Sequence, residues 1–159
     1  MEPLFIDMRG ADWISKDEYS ARMDALRFED WELPYALVLG GKAAIDYANA
    51  IGLEKIKERN AYLCNRVRNG ILGMGKLRLL DIGSDQSSII TVEIPNRKAP
   101  DVLLALRNEN INTSVGHRHF ALIDFEAKQV DWALRISPHY YNTETEVDKL
   151  IAAIRKICL

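Results

Sequence analysis

Arg135 stands in the run Trp132-Ala-Leu-Arg-Ile-Ser137. Alternation along a strand puts Ala133, Arg135 and Ser137 on one face and Leu134 and Ile136 on the other. With only small neighbours on its face, this arginine can point into a cleft. A guanidinium fork binds a carboxylate through two parallel hydrogen bonds, which suits recognition of an amino acid. The histidines are His117, His119 and His139. His117 and His119 stand two apart, so an extended strand would put both imidazoles on one face. Three imidazoles with an open fourth position would make a catalytic zinc site. Nothing in the sequence brings His139 to the pair, and two histidines on a solvated edge is the plainer reading, so no metal ligand is assigned. Arg27-Phe28-Glu29 offers a third charged group, either an ion pair that pins a loop or part of a binding site.

Other chemistry is missing from the pattern. The sequence holds no Gly-x-Gly-x-x-Gly fingerprint, no Gly-Lys-Ser/Thr phosphate loop and no Gly-x-Ser-x-Gly elbow. The net charge of −2 gives no reason to expect nucleic acid or an anionic membrane as partner. The longest apolar stretch, residues 35–39, is far too short to span a bilayer. The two cysteines, Cys64 and Cys158, make no metal-type pair and read as reduced thiols of a cytoplasmic protein. The acidic N-terminus has too short an apolar run for a signal peptide. With 159 residues, 48% of them hydrophobic, the chain can bury a core of its own.

The elements that must position these residues are set by periodicity. Residues 4–8 make a short strand-like patch that nothing N-terminal covers. This is what a piece cut from a larger protein would show, or an edge strand of a complete small domain. Residues 15–33 are polar and read as an ordered loop. Pro34 opens a helix over 35–51, rich in small residues and expected to be buried on most sides, with Gly40 and Gly41 allowing close approach. Gly52 ends it, and a second helix runs over 53–71, with apolar Ile56, Leu63, Val67 and Ile71 at helical spacing. Gly70, Gly73 and Gly75 are expected to close that helix. Strands are expected at 77–82, 88–94, 111–115, 119–125 and 130–136, with a short helix at 102–108. The last helix has the spacing of a capping box at Thr143 and Glu146, and a stripe of Val147, Leu150, Ile151, Ile154 and Ile157. The fold class is α+β: two long N-terminal helices, then a small, mainly antiparallel sheet with helices packed on it.

Two of these segments carry a resemblance. Arg135 followed by Asn142-Thr-Glu-Thr-Glu-Val-Asp148, together with Arg27-Phe28-Glu29 ahead of the Leu-Gly-Gly-Lys-Ala-Ala-Ile-Asp-Tyr helix, resembles the C-terminal domain of class V aminotransferases. These are fold-type I enzymes that use pyridoxal phosphate (PLP), and the likeness is to the cysteine desulfurase and isopenicillin-N epimerase type. The resemblance implies a homodimeric enzyme acting on an amino acid, with Arg135 binding the substrate carboxylate, His117 at the mouth of the site and Arg27 near the cofactor. It implies two parts, 1–33 continuing from a missing large domain and 34–159 as the small C-terminal domain. Departures from the pattern matter as much. Trp31-Glu32 replaces the Gly-Thr that contacts the PLP phosphate. His119 stands where desulfurases carry the catalytic cysteine, and imidazole cannot attack sulfur as a thiolate does. Ser114 replaces an arginine. None of Lys16, Lys42, Lys55, Lys57, Lys76, Lys98, Lys128, Lys149 and Lys156 has the Ser-x-x-Lys-like context of the PLP lysine. The chain alone is therefore expected to be inactive. A second reading stays open, a free-standing amino-acid-binding module built on a β-α-β unit over 88–115. A third, less favoured, is the zinc hydrolase.

Overall fold

The computed structural model describes residues 1–158. These form two compact units, Met1–Ala50 and Ile51 onward. The first unit therefore takes in most of the helix at 35–51, which the sequence alone groups with the small C-terminal domain.

In the first unit the segment expected to be a loop contains a hairpin. Strands β1 (Ala11–Ser15) and β2 (Glu18–Ala21) pair antiparallel, with Trp13 opposite Tyr19 and a register shift at the turn. The strands are almost wholly exposed, so no buried face imposes the alternation that would reveal them. Residues 4–8 form bends and turns rather than a strand. A 3-10 turn, Ala25–Phe28, is capped by the Asp24 carboxylate, which accepts from the Leu26 N–H. Helix α1 (Tyr35–Ile51) forms as expected, but none of its residues is buried, Leu37 being 74% exposed. Among the described residues nothing approaches Gly40 or Gly41 within 4 Å of where a side chain would begin. The composition is that of a buried helix, and the described residues do not cover it.

The second unit begins near Gly52, whose φ of 99° turns the chain into α2 (Leu53–Leu72). Leu63, Cys64, Val67 and Ile71 of α2 are buried at helical spacing. Strands β3 (Arg78–Leu79), β4 (Ile90–Glu93), β5 (Ser114–His117) and β6 (Trp132–Ile136) form one sheet in the order β3-β4-β6-β5, every pair antiparallel. Strands β4 and β5, joined by helix α3 (Ala99–Asn108), thus run parallel with β6 between them. Pro100 fits the first turn of α3, where no N–H is needed.

The expected strand at 119–125 is instead a 3-10 turn and helix α4 (Leu122–Lys128). Its apolar run misleads: Phe125 is buried while Ile123 is 86% exposed. An Asp124–Lys128 pair at i, i+4 supports the helix, and Gln129 ends it at φ 56°. Helix α5 (Glu144–Cys158) closes the fold. One face of the sheet (Ile90, Val92, Leu134, Ile136) packs on α2, α3 and α5 in a single core. The other face carries a smaller cluster of Leu80, Phe125, Val130 and Ala133 under α4.

Gly70 lies inside α2 rather than closing it. A methyl group there would meet Ile151 Cδ1 at 2.6 Å, so the glycine sets how closely α2 and α5 approach.

Candidate functional site

The sheet sorts its residues by face. Along β6, Leu134 and Ile136 enter the main core, and Ala133 and Arg135 take the opposite side. Register puts Thr91 of β4 and Ser114 of β5 directly opposite Arg135, one on each flank. Residues paired this way point to the same face. The next rung is Ala133 with Gly116, where Phe125 of α4 lies 3.3 Å from where a Cβ would stand. Helix α4 therefore covers that end of the face and leaves Arg135 exposed.

Thr91 is fixed. Its N–H donates to both Asp81 oxygens at 3.1 Å, and its hydroxyl donates to Oδ1 at 2.6 Å. Arg78, also on this face, is tied to Glu93 at 2.6 Å and to the Lys128 carbonyl at 2.7 Å. Among the described residues, Arg135 has neither a hydrogen-bond nor an ion-pair partner. A guanidinium fork without a partner has the hydrogen-bonding geometry that pairs with anions.

The segment 142–148 has a different use. Asn142 Oδ1 accepts from the His139 N–H at 2.9 Å, and the Asn142 N–H donates back to the His139 carbonyl at 2.8 Å. Thr143 and Glu146 make the reciprocal capping box, at 3.2 and 2.8 Å. Arg59 of α2 forks onto Glu144 at 2.5 and 3.0 Å and reaches the Asn142 carbonyl at 3.0 Å. Arg66 forks onto Asp148 at 2.8 and 2.7 Å. The Arg59 hydrogen bond pulls the Glu144 carboxyl down to about 2, and the Arg66 hydrogen bond lowers Asp148. This run fastens the start of α5 to α2 and fixes the chain just beyond Arg135. Sequence reasoning does not single out Arg59 and Arg66. A signal exists all the same: the two arginines are seven residues apart and share a helix face, matching carboxylates four apart on α5.

The histidines are not gathered with Arg135. His117 pairs with Trp132, on the helix-covered side, where it lines a groove of about 250 Å³ with Leu103, Leu104 and Arg107 of α3. The His117 and His119 rings stack at 5.5 Å, 10° from parallel, with Phe120 4.2 Å from His119. A 3-10 turn, not a continuing strand, brings them together. His139 lies against Tyr140 and Tyr141, its Nδ1 buried without a partner. Among the described residues no group of three or more His, Cys, Asp or Glu could hold a metal ion.

In the first unit, the Arg27 guanidinium lies 5.1 Å from the Phe28 ring centre, and its Nε is buried without a partner. The Arg27–Glu29 ion pair suggested by the sequence does not form. Glu29 instead faces Arg9 at 3.7 Å, and Arg9 lies over the Trp31 ring. Every lysine is exposed except Lys128, which is held by Asp124 at 2.8 Å. The described residues therefore offer no enclosed lysine to bond covalently to PLP and do not by themselves fit that cofactor.

Known proteins with similar sequence or structure agree with this architecture. A probable cysteine desulfurase of Xylella fastidiosa (strain 9a5c) is 27% identical over 131 residues, covering 82% of this chain and 31% of that protein. A cysteine desulfurase of Serratia proteamaculans is 30% identical over 131 residues, covering 82% of this chain and 32% of that protein. The chain thus spans about a third of the length of these curated relatives. The apo structure of a cysteine desulfurase from Thermococcus onnurineus NA1 superposes with a TM-score of 0.80 at 23% identity, over 99% of this chain and 39% of that one. The family model for aminotransferase class-V matches residues 1–150, and the chain belongs to that family.

Proposed function

We propose that this chain is the C-terminal part of a PLP-dependent enzyme acting on an amino acid, with Arg135 as the group that binds the substrate carboxylate. The observation that carries the reading is the unpaired guanidinium on the open sheet face, between Thr91 and Ser114. A basic group that folding leaves unneutralised has charge to offer a ligand. PLP, held by the remainder of the enzyme, supplies an electron sink at the bound amino acid. This chain supplies orientation. A cytoplasmic homodimer is part of the same reading, and the unpaired Cys64 and Cys158 suit a reducing compartment.

His119 in place of the desulfurase cysteine favours chemistry other than thiolate attack on sulfur. His117, on the other side of the sheet, has no share in the carboxylate contact. Arg27 would serve the cofactor through its buried, unpartnered Nε.

PLP titration followed by absorbance tests this reading. The chain alone should give no absorbance change from covalent attachment, and the longer enzyme should give one. A band from the chain alone would overturn the assignment of the covalent lysine to the remainder of the enzyme. Amino acids assayed with the longer enzyme would then define the reaction, and rapid sulfide release from cysteine would overturn the role given to His119.

A further inference from the structure

A different concavity opens where the β5–β6 pairing ends, beyond Ser114 and Arg135. It is a groove of about 480 Å³, with residues 110–113 on one side and residues 137–142 and the first turns of α5 on the other. Arg135 does not line it. Both walls are fixed from behind. Asn110 stands at φ 58°, and its N–H and that of Ile111 bond to the carbonyls of Arg107 and Leu106 at 2.8 and 2.9 Å, which turns the chain out of α3 and into the groove wall. The opposite wall is held by the Asn142 side chain on the His139 N–H and by Glu146 on the Thr143 N–H. The floor is apolar, made by the buried Ile136, Val147 and Leu150.

The polar groups left unspent around this floor set what it can hold. Among the described residues, the side chains of Asn110, Asn112, Ser137, Tyr141 and Lys149 have no hydrogen-bond or ion-pair partner. Thr113 Oγ1 is buried here without a partner, which costs free energy until something bonds to it. All of these groups except Lys149 can both donate and accept. The charged residues of the lining are Lys149 and Glu146, whose formal charges cancel. Glu109, which adjoins Lys149, is taken up by Lys156 at 3.0 Å. The Tyr141 ring is 72% exposed and is propped by His139 and Tyr140, whose ring centres lie 5.5 and 5.6 Å away.

We propose that this groove binds a neutral, hydroxyl-rich small molecule of the monosaccharide class. Sugar hydroxyls donate and accept at once, as the lining groups do. One of them reaching the floor satisfies Thr113. The negative face of an aromatic ring attracts C–H groups, so Tyr141 takes the flat side of a pyranose. An apolar floor with a few convergent polar groups is the usual make-up of a small-molecule site. An extended peptide needs partners in a row at strand spacing, whereas these groups come from three chain segments and converge on one hollow. An anionic ligand gains little from a lining whose charges cancel. The site is independent of the role given to Arg135.

The test is nuclear magnetic resonance titration of the full chain with D-glucose and N-acetyl-D-glucosamine, with glucuronate and tetra-alanine as anionic and peptide counterparts. Saturable amide shifts at residues 110–113 and 137–142 are expected with a neutral sugar. Thr113→Val should weaken that sugar about three- to tenfold, the range for one lost hydrogen bond, and should leave the melting temperature equal or higher. Thr113→Ser, which keeps the hydroxyl, should keep the affinity. Tyr141→Leu, at an exposed ring, should also weaken binding.

The absence of saturable shifts with both neutral sugars overturns the site. Tighter binding of glucuronate or tetra-alanine than of either sugar overturns the ligand class. Sugar affinity unmoved by Thr113→Val overturns the part given to the buried hydroxyl, and affinity unmoved by Tyr141→Leu overturns the part given to the ring.

Discussion

Arg66 on α2 and Asp148 on α5 meet in a two-point pair, Nε to Oδ1 at 2.8 Å and Nη2 to Oδ2 at 2.7 Å. Seven residues earlier on α2, and four earlier on α5, Arg59 and Glu144 repeat the arrangement. Two forks in line hold the helices in register, where a lone pair would leave them free to pivot.

Asp148→Asn should lower the melting temperature slightly, because the pair is exposed and screened by salt. Arg66→Lys should do the same, since an ammonium cannot reproduce the fork. The two losses should not add, and a double-mutant cycle by thermal denaturation at low and high salt checks this.

Acid should loosen the same contact. The folded Glu144 carboxyl is held at about 2, and Asp148 is lowered too, by hydrogen bonds from Arg59 and Arg66. A depressed carboxylate contributes its stability fully above its unfolded value, about 4.3 for glutamate, and loses it as pH falls toward the folded value. Stability should therefore decline between about pH 4.3 and pH 2. In Glu144→Gln that part of the decline should disappear, as urea midpoints measured across the range would reveal.

Gly70→Val should destabilise the protein by about 1–3 kcal/mol, the usual cost of overpacking. Its side chain would collide with Ile151, whose Cδ1 lies 2.6 Å from where a Cβ would stand. Ile151→Ala in the same background should recover part of the loss. Urea denaturation of the single and double variants decides the matter, and equal stability of Gly70→Val and the unsubstituted chain would contradict it.

Arg135→Ala should behave oppositely. The side chain is exposed and unpaired among the described residues, so stability should move by less than about 0.5 kcal/mol. In the longer enzyme, KM for α-amino acids should rise strongly. Normal kcat/KM would refute the carboxylate role, and a large fall in melting temperature would point to lost packing instead.

The sequence is most legible where burial imposes a period. The stripe on α5, the buried positions of α2 and the alternation of β6 all arise from one face meeting a core. The capping box is readable because two side chains at fixed spacing satisfy each other's backbone. Legibility fails where nothing is buried. The β1–β2 hairpin has no covered face, and α4 buries only Phe125, so a short apolar run there reads equally as strand or helix. Arg135 stands out through its small neighbours. Its flanking hydroxyls come from strands distant in sequence, and register is a property of the fold rather than of any one segment. Segment 142–148 is readable as a helix start, but its grip on Arg59 and Arg66 depends on a helix more than 80 residues earlier.

The order β3-β4-β6-β5 has a consequence for how the chain acquires its shape. The strand that carries Arg135 is central in space and last in sequence. Strands β4 and β5 have nothing to pair with between them until Trp132–Ile136 has been made, so the sheet closes late and through distant contacts. Until then, two strand edges stay open, and the residues that flank the guanidinium have no common face to share. The rung of Thr91, Arg135 and Ser114 and the finished sheet therefore come into being in a single step.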